Sequence, residues 1–209
     1  MARPLCALLL SLVFAVPVPA TAHNWDKIIS RAREMLVYTV TPKGMCSGFV
    51  IDVKREYVLT AQHCVESFPI YVDGKEAQLV VADVSLDLAL LKALVSGKTP
   101  AAFGTDIATS DEVLVVGYAH GWRVPLTLPS VIVQLNATIP HFRPHFTMLL
   151  GLNRQPASFQ GMSGGPVLNR QGKVIGITQI GKDAYAGMRP AAIIIQFLNA
   201  TIYKGAYVL

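Results

Sequence analysis

Short runs of β-branched and other apolar residues, separated by turn-forming residues, recur along most of this chain. Each run is about as long as one strand and too short for a typical helix. The predicted strands are residues 45–53, 57–60, 69–72, 77–81, 88–93, 112–118, 130–138, 146–152, 166–169, 173–180 and 191–195. Many short strands with little helix predict an all-β fold, either a sandwich or a pair of barrels.

Three further patterns organise the strands. Residues 24–36 place apolar side chains at spacings of three and four, which predicts a short amphipathic helix before the first strand. Asp73-Gly74 predicts a hairpin turn, because both residue types accept a positive φ at low cost. Residues 96–110 are rich in Gly, Pro, Thr and Ser, so we expect them to connect two lobes.

The first 22 residues have the composition of a signal peptide. Arg3 is their one charge, an apolar core follows, and Ala20-Thr21-Ala22 fits the small-residue pattern of a cleavage site. We predict cleavage after Ala22, with an uncleaved signal anchor as the alternative. Residues 23–209 contain no second apolar run of membrane-spanning length, so we expect a secreted or periplasmic protein.

The charge pattern gives no sign of a nucleic-acid partner. The formal net charge is +5 at pH 7, and the basic residues are scattered along the chain. Nucleic-acid-binding proteins concentrate Lys and Arg on one surface. The sequence also shows no His/Cys spacing typical of zinc and no acidic calcium loop, so we predict neither metal nor cofactor.

Of three cysteines, Cys6 lies in the predicted signal segment. Cys46 and Cys64 remain as an even pair in a chain that we expect to reach an oxidising compartment. One disulfide is therefore predicted, with two buried free thiols as the alternative.

Ser163 lies in the glycine-rich segment Gly161-Met162-Ser163-Gly164-Gly165-Pro166. Glycine allows a tight turn that exposes a nucleophile and lets neighbouring N–H groups point at one spot, as oxyanion stabilisation requires. By itself, such a segment can also be an ordinary structural turn. Its Gly-x-Ser-x-Gly pattern also fits the nucleophile elbow of α/β-hydrolases, in which the histidine follows the serine.

The histidines exclude the α/β-hydrolase order. They are His23, His63, His120, His141 and His145, and all of them precede Ser163. The nucleophile must therefore be the last member of any triad in this chain. His63 is the preferred base, because it follows a predicted strand and adjoins Cys64, whose disulfide would fix the backbone. His120, His141 and His145 lie in loop-like or Pro-flanked stretches and are interpreted as surface histidines.

Asp73, Asp83 and Asp87, the first three aspartates after His63, are the candidates that could orient the base. Asp87 directly precedes an apolar predicted strand, Asp73 has a sufficient role as a turn residue, and Asp83 has no strand behind it. Asp87 is therefore the preferred acid.

Taken in order, Thr-Ala-x-His-Cys at 60–64, Asp-Leu-Ala-Leu-Leu at 87–91 and Gly-x-Ser-Gly-Gly-Pro at 161–166 resemble the trypsin-like serine protease superfamily. Residues 115–118 and 172–177 are closer in pattern to its Deg/HtrA branch. The resemblance implies a double β-barrel of two six-stranded Greek-key barrels, about residues 37–95 and 111–198, within one protease domain at 23–209. It implies no cofactor and a substrate that is a protein or peptide.

The resemblance also implies a role for each matching residue. His63 would act as general base and then acid, Asp87 would orient it, and Ser163 would attack the scissile carbonyl. Gly161 and Ser163 would supply the oxyanion-hole N–H groups, and Cys46 would pair with Cys64. The expected activity is that of a serine endopeptidase with an acyl-enzyme intermediate.

The chain departs from trypsin in its activation and regulation. It has no Ile-Val-Gly-Gly-like segment, and Met162 rather than Asp precedes Ser163, so we expect no activation by propeptide cleavage. Because the sequence ends at Leu209, we expect it to lack the peptide-binding domain that is common in Deg/HtrA proteases.

The specificity pocket is predicted from Ala157 and Thr178. Alanine stands where trypsin carries an aspartate, which favours a small or medium apolar side chain before the scissile bond. Two alternatives to an endopeptidase stay open at this point: a binding protein that has lost turnover, and a serine esterase on the same scaffold. The sequons at 136–138 and 199–201 are interpreted as chance matches.

Overall fold

The structure, a computed structural model, describes residues 25–137, 146–151, 160–182 and 185–203. Its elements, in chain order, are α1 (Asp26–Met35), β1 (Leu36–Thr41), β2 (Gly44–Asp52), β3 (Tyr57–Thr60), β4 (Ile70–Val72), β5 (Lys75–Asp83), β6 (Leu88–Lys92), β7 (Glu112–Tyr118), β8 (Pro125–Ala137), β9 (Phe146–Gly151), β10 (Pro166–Leu168), β11 (Val174–Lys182), β12 (Tyr185–Pro190) and α2 (Ala191–Leu198).

The strands form two closed antiparallel barrels. The first has the order β1-β2-β3-β6-β5-β4 and the second has the order β10-β11-β12-β9-β8-β7. In each barrel the fourth strand along the chain returns to pair with the first, which is the Greek-key connection. The predicted all-β double barrel with a short N-terminal helix is confirmed.

Some strands carry a continuous apolar run because both of their faces are buried there. In β6, Ala89 and Leu91 fill the interior of the first barrel, whereas Leu88 and Leu90 join the core between the barrels. In β7, alternate residues divide in the same way between the second barrel and the shared core. The pleat sends successive side chains to opposite faces, so a strand between two cores needs an unbroken apolar run.

The predicted Asp73-Gly74 turn joins β4 and β5, and Val72 pairs with Lys75. Both turn residues have positive φ, 47° for Asp73 and 81° for Gly74, as a two-residue hairpin turn requires. The predicted crossover at 96–110 contains no strand or helix of its own beyond an isolated bridge between Phe103 and Val174.

One predicted strand is wrong. Residues 191–195 begin α2, and the strand that completes the second barrel is the preceding β12. The three consecutive isoleucines suggested a strand, yet Ala191, Ile194, Ile195 and Leu198 are buried at helical spacing against the core. Packing of this face outweighs the β preference of isoleucine.

None of the helices among the described residues is long and apolar enough to cross a membrane. The predicted signal segment at 1–22 lies outside the described residues.

Candidate active site

His63 and Asp87 come together at one end of the first barrel, next to the ends of β3 and β6. His63 lies in a short 3-10 turn, Gln62–Val65, directly after β3, and Asp87 directly precedes β6, which pairs with β3. The Nδ1 atom of His63 is 2.8 Å from Oδ2 and 3.0 Å from Oδ1 of Asp87. The backbone N–H of His63 also donates to Asp87 Oδ1 at 2.9 Å. The carboxylate therefore holds both the ring and the backbone of the histidine.

The two other candidate acids, Asp83 and Asp73, bind residues other than His63. Asp83 Oδ1 accepts hydrogen bonds from the N–H groups of Ser85 and Leu86 and from the Ser85 hydroxyl, so it closes a local turn. Asp73 Oδ1 accepts the Tyr38 N–H, and its other oxygen lies 3.4 Å from Lys98 Nζ. Of the three aspartates, Asp87 is the one whose carboxylate contacts His63.

The turn carrying Ser163 leaves no room for side chains at its glycines. Gly161 and Gly164 have φ of 90° and 84°. A Cβ on Gly164 would lie 2.1 Å from the Ser47 carbonyl oxygen, and one on Gly161 would lie 2.6 Å from the Tyr118 carbonyl oxygen. Such distances forbid any larger residue, so both the left-handed conformation and the close packing explain the glycines.

Hydrogen bonds attach this turn to β11 and close it. Gly164 N–H donates to Thr178 O at 2.7 Å, and Thr178 N–H donates to Gly165 O at 2.9 Å. Gly165 N–H donates back to Met162 O at 2.9 Å. In contrast, the N–H groups of Gly161 and Ser163 donate to no other backbone group among the described residues.

The Ser163 hydroxyl donates to the backbone carbonyl of Gln179 at 3.3 Å. Within the described ranges, no hydrogen bond joins Ser163 to His63, although the Ser163 carbonyl oxygen lies 3.7 Å from Sγ of the neighbouring Cys64. Such bonds are often long in unliganded enzymes and shorten when substrate binds. The structure thus brings the serine turn against the histidine segment without the final hydrogen bond.

Cys46 and Cys64 form a disulfide, with an S–S distance of 2.11 Å and a Cα–Cα distance of 6.0 Å. The bond ties β2 to the turn of His63. Cys46, Cys64 and His63 place their sulfur and nitrogen atoms within 4.8 Å of one another, a spacing that could suggest a metal. Because metals bind cysteine as the thiolate, the disulfide accounts for this cluster without one.

Two buried polar residues of the site were missed by the sequence analysis. Gln179 on β11 donates from Nε2 to the carbonyl oxygens of Leu86 and Asp87 at 2.8 and 2.6 Å. Arg189 on β12 donates from Nε to Leu86 O at 3.1 Å and is only 1% exposed. Both reach from the second barrel to the segment before Asp87. A glutamine inside a mainly apolar strand is a signal that could have identified Gln179.

The remaining predicted site residues are less informative. Thr178 is 1% exposed, and its backbone supports the serine turn. Ala157, His141 and His145 lie outside the described residues, as does Thr138 of the first sequon. His120 is exposed, as interpreted from sequence, but its N–H donates to Gln160 O at 2.9 Å beside the serine turn.

Comparison with known proteins agrees with this architecture. Serine protease Do-like HtrB of Bacillus subtilis (strain 168) is 32% identical over 145 residues, which are 63% of this chain and 31% of the relative. A probable periplasmic serine endoprotease, DegP-like, of Halomonas elongata is 30% identical over 145 residues, 65% of this chain and 29% of the relative. The chain thus spans about a third of the length of these curated relatives.

Among solved structures, the HtrA-type protease AlgW with tripeptide superposes with a TM-score of 0.75 at 24% identity, covering 87% of this chain and 64% of that chain. This likeness shows a shared fold. The family model of the trypsin-like peptidase domain matches residues 46–177, more than half of the chain. That match includes His63, Asp87 and Ser163, and the chain therefore belongs to the trypsin-like peptidase domain family.

Proposed function

We propose that this protein is a serine endopeptidase that acts through His63, Asp87 and Ser163. The observation that carries the proposal is the two-oxygen contact of Asp87 with His63 Nδ1, beside a glycine turn that presents Ser163. With Nδ1–H donated to the carboxylate, the other ring nitrogen, Nε2, is the one available to accept a proton. Family membership and the serine protease relatives support the same reaction class.

The reaction would proceed in two halves. Rotation of the Ser163 hydroxyl away from Gln179 O would direct it to His63 Nε2, which takes the proton as Oγ attacks the scissile carbonyl. The N–H groups of Gly161 and Ser163 would stabilise the oxyanion of the tetrahedral intermediate. His63 would then protonate the leaving amine, and a water activated by His63 would hydrolyse the acyl-enzyme and regenerate Ser163.

The compartment is the other part of the proposal. A signal-like segment at 1–22, the Cys46–Cys64 disulfide and a periplasmic DegP-like relative together support a secreted or periplasmic protease. Its substrates would be proteins or peptides, with a small or medium apolar residue before the scissile bond.

Digestion of a complex peptide library by the wild type and by Ser163→Ala, with the fragments identified by mass spectrometry, tests both activity and specificity. New cleavages are expected with the wild type alone, together with covalent labelling of Ser163 by a fluorophosphonate. Labelling without peptide cleavage, accompanied by ester turnover, would favour an esterase. Equal fragment patterns and no labelling would favour a binding protein that does not turn over.

A further inference from the structure

Ser47, on β2 beside Cys46, is a fully buried polar residue of the first barrel that contacts the serine turn of the second. Its backbone N–H donates to Ser163 O at 2.8 Å, and its carbonyl accepts the Thr60 hydroxyl at 2.7 Å. These two bonds use backbone atoms and need no serine. The presence of serine at position 47 must therefore be explained by its side-chain hydroxyl.

The Ser47 hydroxyl uses both its acceptor and its donor on backbone groups of the second barrel. It accepts the Tyr118 N–H at 2.8 Å and donates to Gly161 O at 2.8 Å. The neighbouring strand makes space for it, because a Cβ on Gly117 would lie 2.8 Å from Ser47 Oγ. The hydroxyl thus connects the end of β7 to the glycine that would provide one oxyanion-hole N–H.

Gly161 needs such a constraint because glycine rotates more freely than any other residue. On its amino side, the Gln160 carbonyl accepts the His120 N–H at 2.9 Å. A peptide unit is planar and trans, so fixing that carbonyl also fixes the direction of the Gly161 N–H. On its carboxyl side, the Ser47 hydroxyl fixes the Gly161 carbonyl. The two bonds together determine the backbone conformation at this glycine.

We propose that Ser47 is a positioning residue for the oxyanion hole, holding Gly161 in the conformation that directs its N–H at the developing negative charge. The inference rests on the proposed function. In this proposal the turn is held by a hydroxyl of the first barrel, a contact that requires no newly freed amino terminus.

Ser47→Ala removes the hydroxyl and keeps both backbone hydrogen bonds. With a peptide identified by the library digestion, kcat is expected to fall about 10-fold to 100-fold while KM changes less than about twofold, because the interaction acts on the transition state. Affinity for a peptidyl boronic acid of the same sequence, which forms a tetrahedral adduct, should fall in parallel with kcat/KM.

Ser130→Ala is the matched control, since Ser130 is 1% exposed and its hydroxyl donates to a backbone carbonyl, that of Leu128, on β8. This variant is expected to retain the wild-type kcat and boronate affinity. Ser47→Thr, which keeps a hydroxyl, should recover part of the activity lost in Ser47→Ala. A folded Ser47→Ala protein with the kcat and boronate affinity of the wild type would overturn the role of Ser47.

Amide hydrogen exchange in the wild type gives a test that does not depend on whether Ser47→Ala folds. The Tyr118 amide should be protected in the free enzyme, and boronate binding should slow exchange at Gly161 and Ser163. An unprotected Tyr118 amide would contradict the proposal. Failure of the proposed function can be distinguished from failure of the Ser47 role. If the protein is not a serine protease, the wild type itself would neither cleave peptides nor be labelled at Ser163.

Discussion

Asp87 adopts a left-handed backbone conformation, with φ of 54°. Such a conformation costs about 1–3 kcal/mol for most residues and persists where neighbouring contacts fix it. Here Gln179 holds the Asp87 carbonyl and the preceding Leu86 carbonyl. At this bend before β6, the Asp87 carboxylate contacts the His63 ring.

Asp87→Asn tests the acid. The amide has the shape of the carboxylate but can leave His63 in the wrong tautomer and cannot stabilise the imidazolium, so kcat should fall about 10³-fold to 10⁴-fold. Steady-state kinetics on a library-derived peptide would measure the change. Asp83→Asn is the control: it weakens a local turn and should leave kcat within a fewfold of the wild type. If Asp83→Asn lost more kcat than Asp87→Asn, the assignment of Asp87 as the acid would be wrong.

Tyr118 gives the structure a pH-dependent contribution at high pH. Burial, then the negative charge of Asp73 and the neighbouring Tyr38, raise the pKa of Tyr118 to about 12 from 10.0. The unfolded chain therefore loses this proton at lower pH than the folded one, and stability falls as pH rises from 10 to 12. A rise of this size corresponds to a loss of at most about 3 kcal/mol.

Urea unfolding at pH 9 and pH 12 checks this expectation. Tyr118→Phe should lose less stability than the wild type over that interval, because it has no phenol to ionise. Tyr185→Phe, at a position 48% exposed, controls for the loss of a tyrosine. Equal pH dependence in the wild type and Tyr118→Phe would show that this phenol does not contribute.

Among the elements, α2 packs its apolar face on the core shared by the two barrels. Ile194 is fully buried in that core, whereas Ile193 on the same helix is only partly buried. Ile194→Ala should lower the free energy of unfolding by about 2–5 kcal/mol through lost contacts and a cavity. Ile193→Ala should cost less than half as much. Urea denaturation with equal losses for both variants would contradict this packing.

The strand elements could largely be predicted, because alternating and continuous apolar runs are local. Residues 57–60 and 112–118 were predicted with the bounds that β3 and β7 have. β1 and β12 were not predicted as strands. β1 directly continues the helical segment. β12, Tyr-Ala-Gly-Met-Arg-Pro, has no β-branched residue and contains glycine and proline. The pairing partners on either side, rather than its own composition, make β12 a strand.

At the scale of the whole molecule, the site lies between barrels: His63 and Asp87 belong to the first and Ser163 to the second. The sequence could propose these residues because motifs of a few neighbouring positions carry them. It could not predict Gln179, Arg189 or the role of Ser47, whose partners lie from 71 to 114 positions away in the chain. Those contacts exist only once both barrels have closed and docked.

Gln179 is the residue that best tests whether this docking sets the catalytic geometry. Its side chain, 2% exposed, binds the segment before Asp87, and its own carbonyl accepts the Ser163 hydroxyl. One residue thus connects the backbone of the proposed acid in one barrel to the proposed nucleophile in the other. Gln179→Met keeps a similar volume and the backbone carbonyl but removes both side-chain hydrogen bonds.

For Gln179→Met we expect kcat to fall about tenfold or more, because a small displacement of aligned catalytic groups is costly. The free energy of unfolding should fall by about 1–3 kcal/mol, since the Asp87 carbonyl loses a buried donor. Gln196→Met, on the exposed face of α2, is the control for the change of residue and should alter neither quantity appreciably. If Gln179→Met were destabilised but kept the wild-type kcat, the inter-barrel bonds would hold the fold together without setting the distance between Asp87 and Ser163. If kcat instead fell by more than the decrease in the folded fraction accounts for, the position of Asp87 would depend on the second barrel.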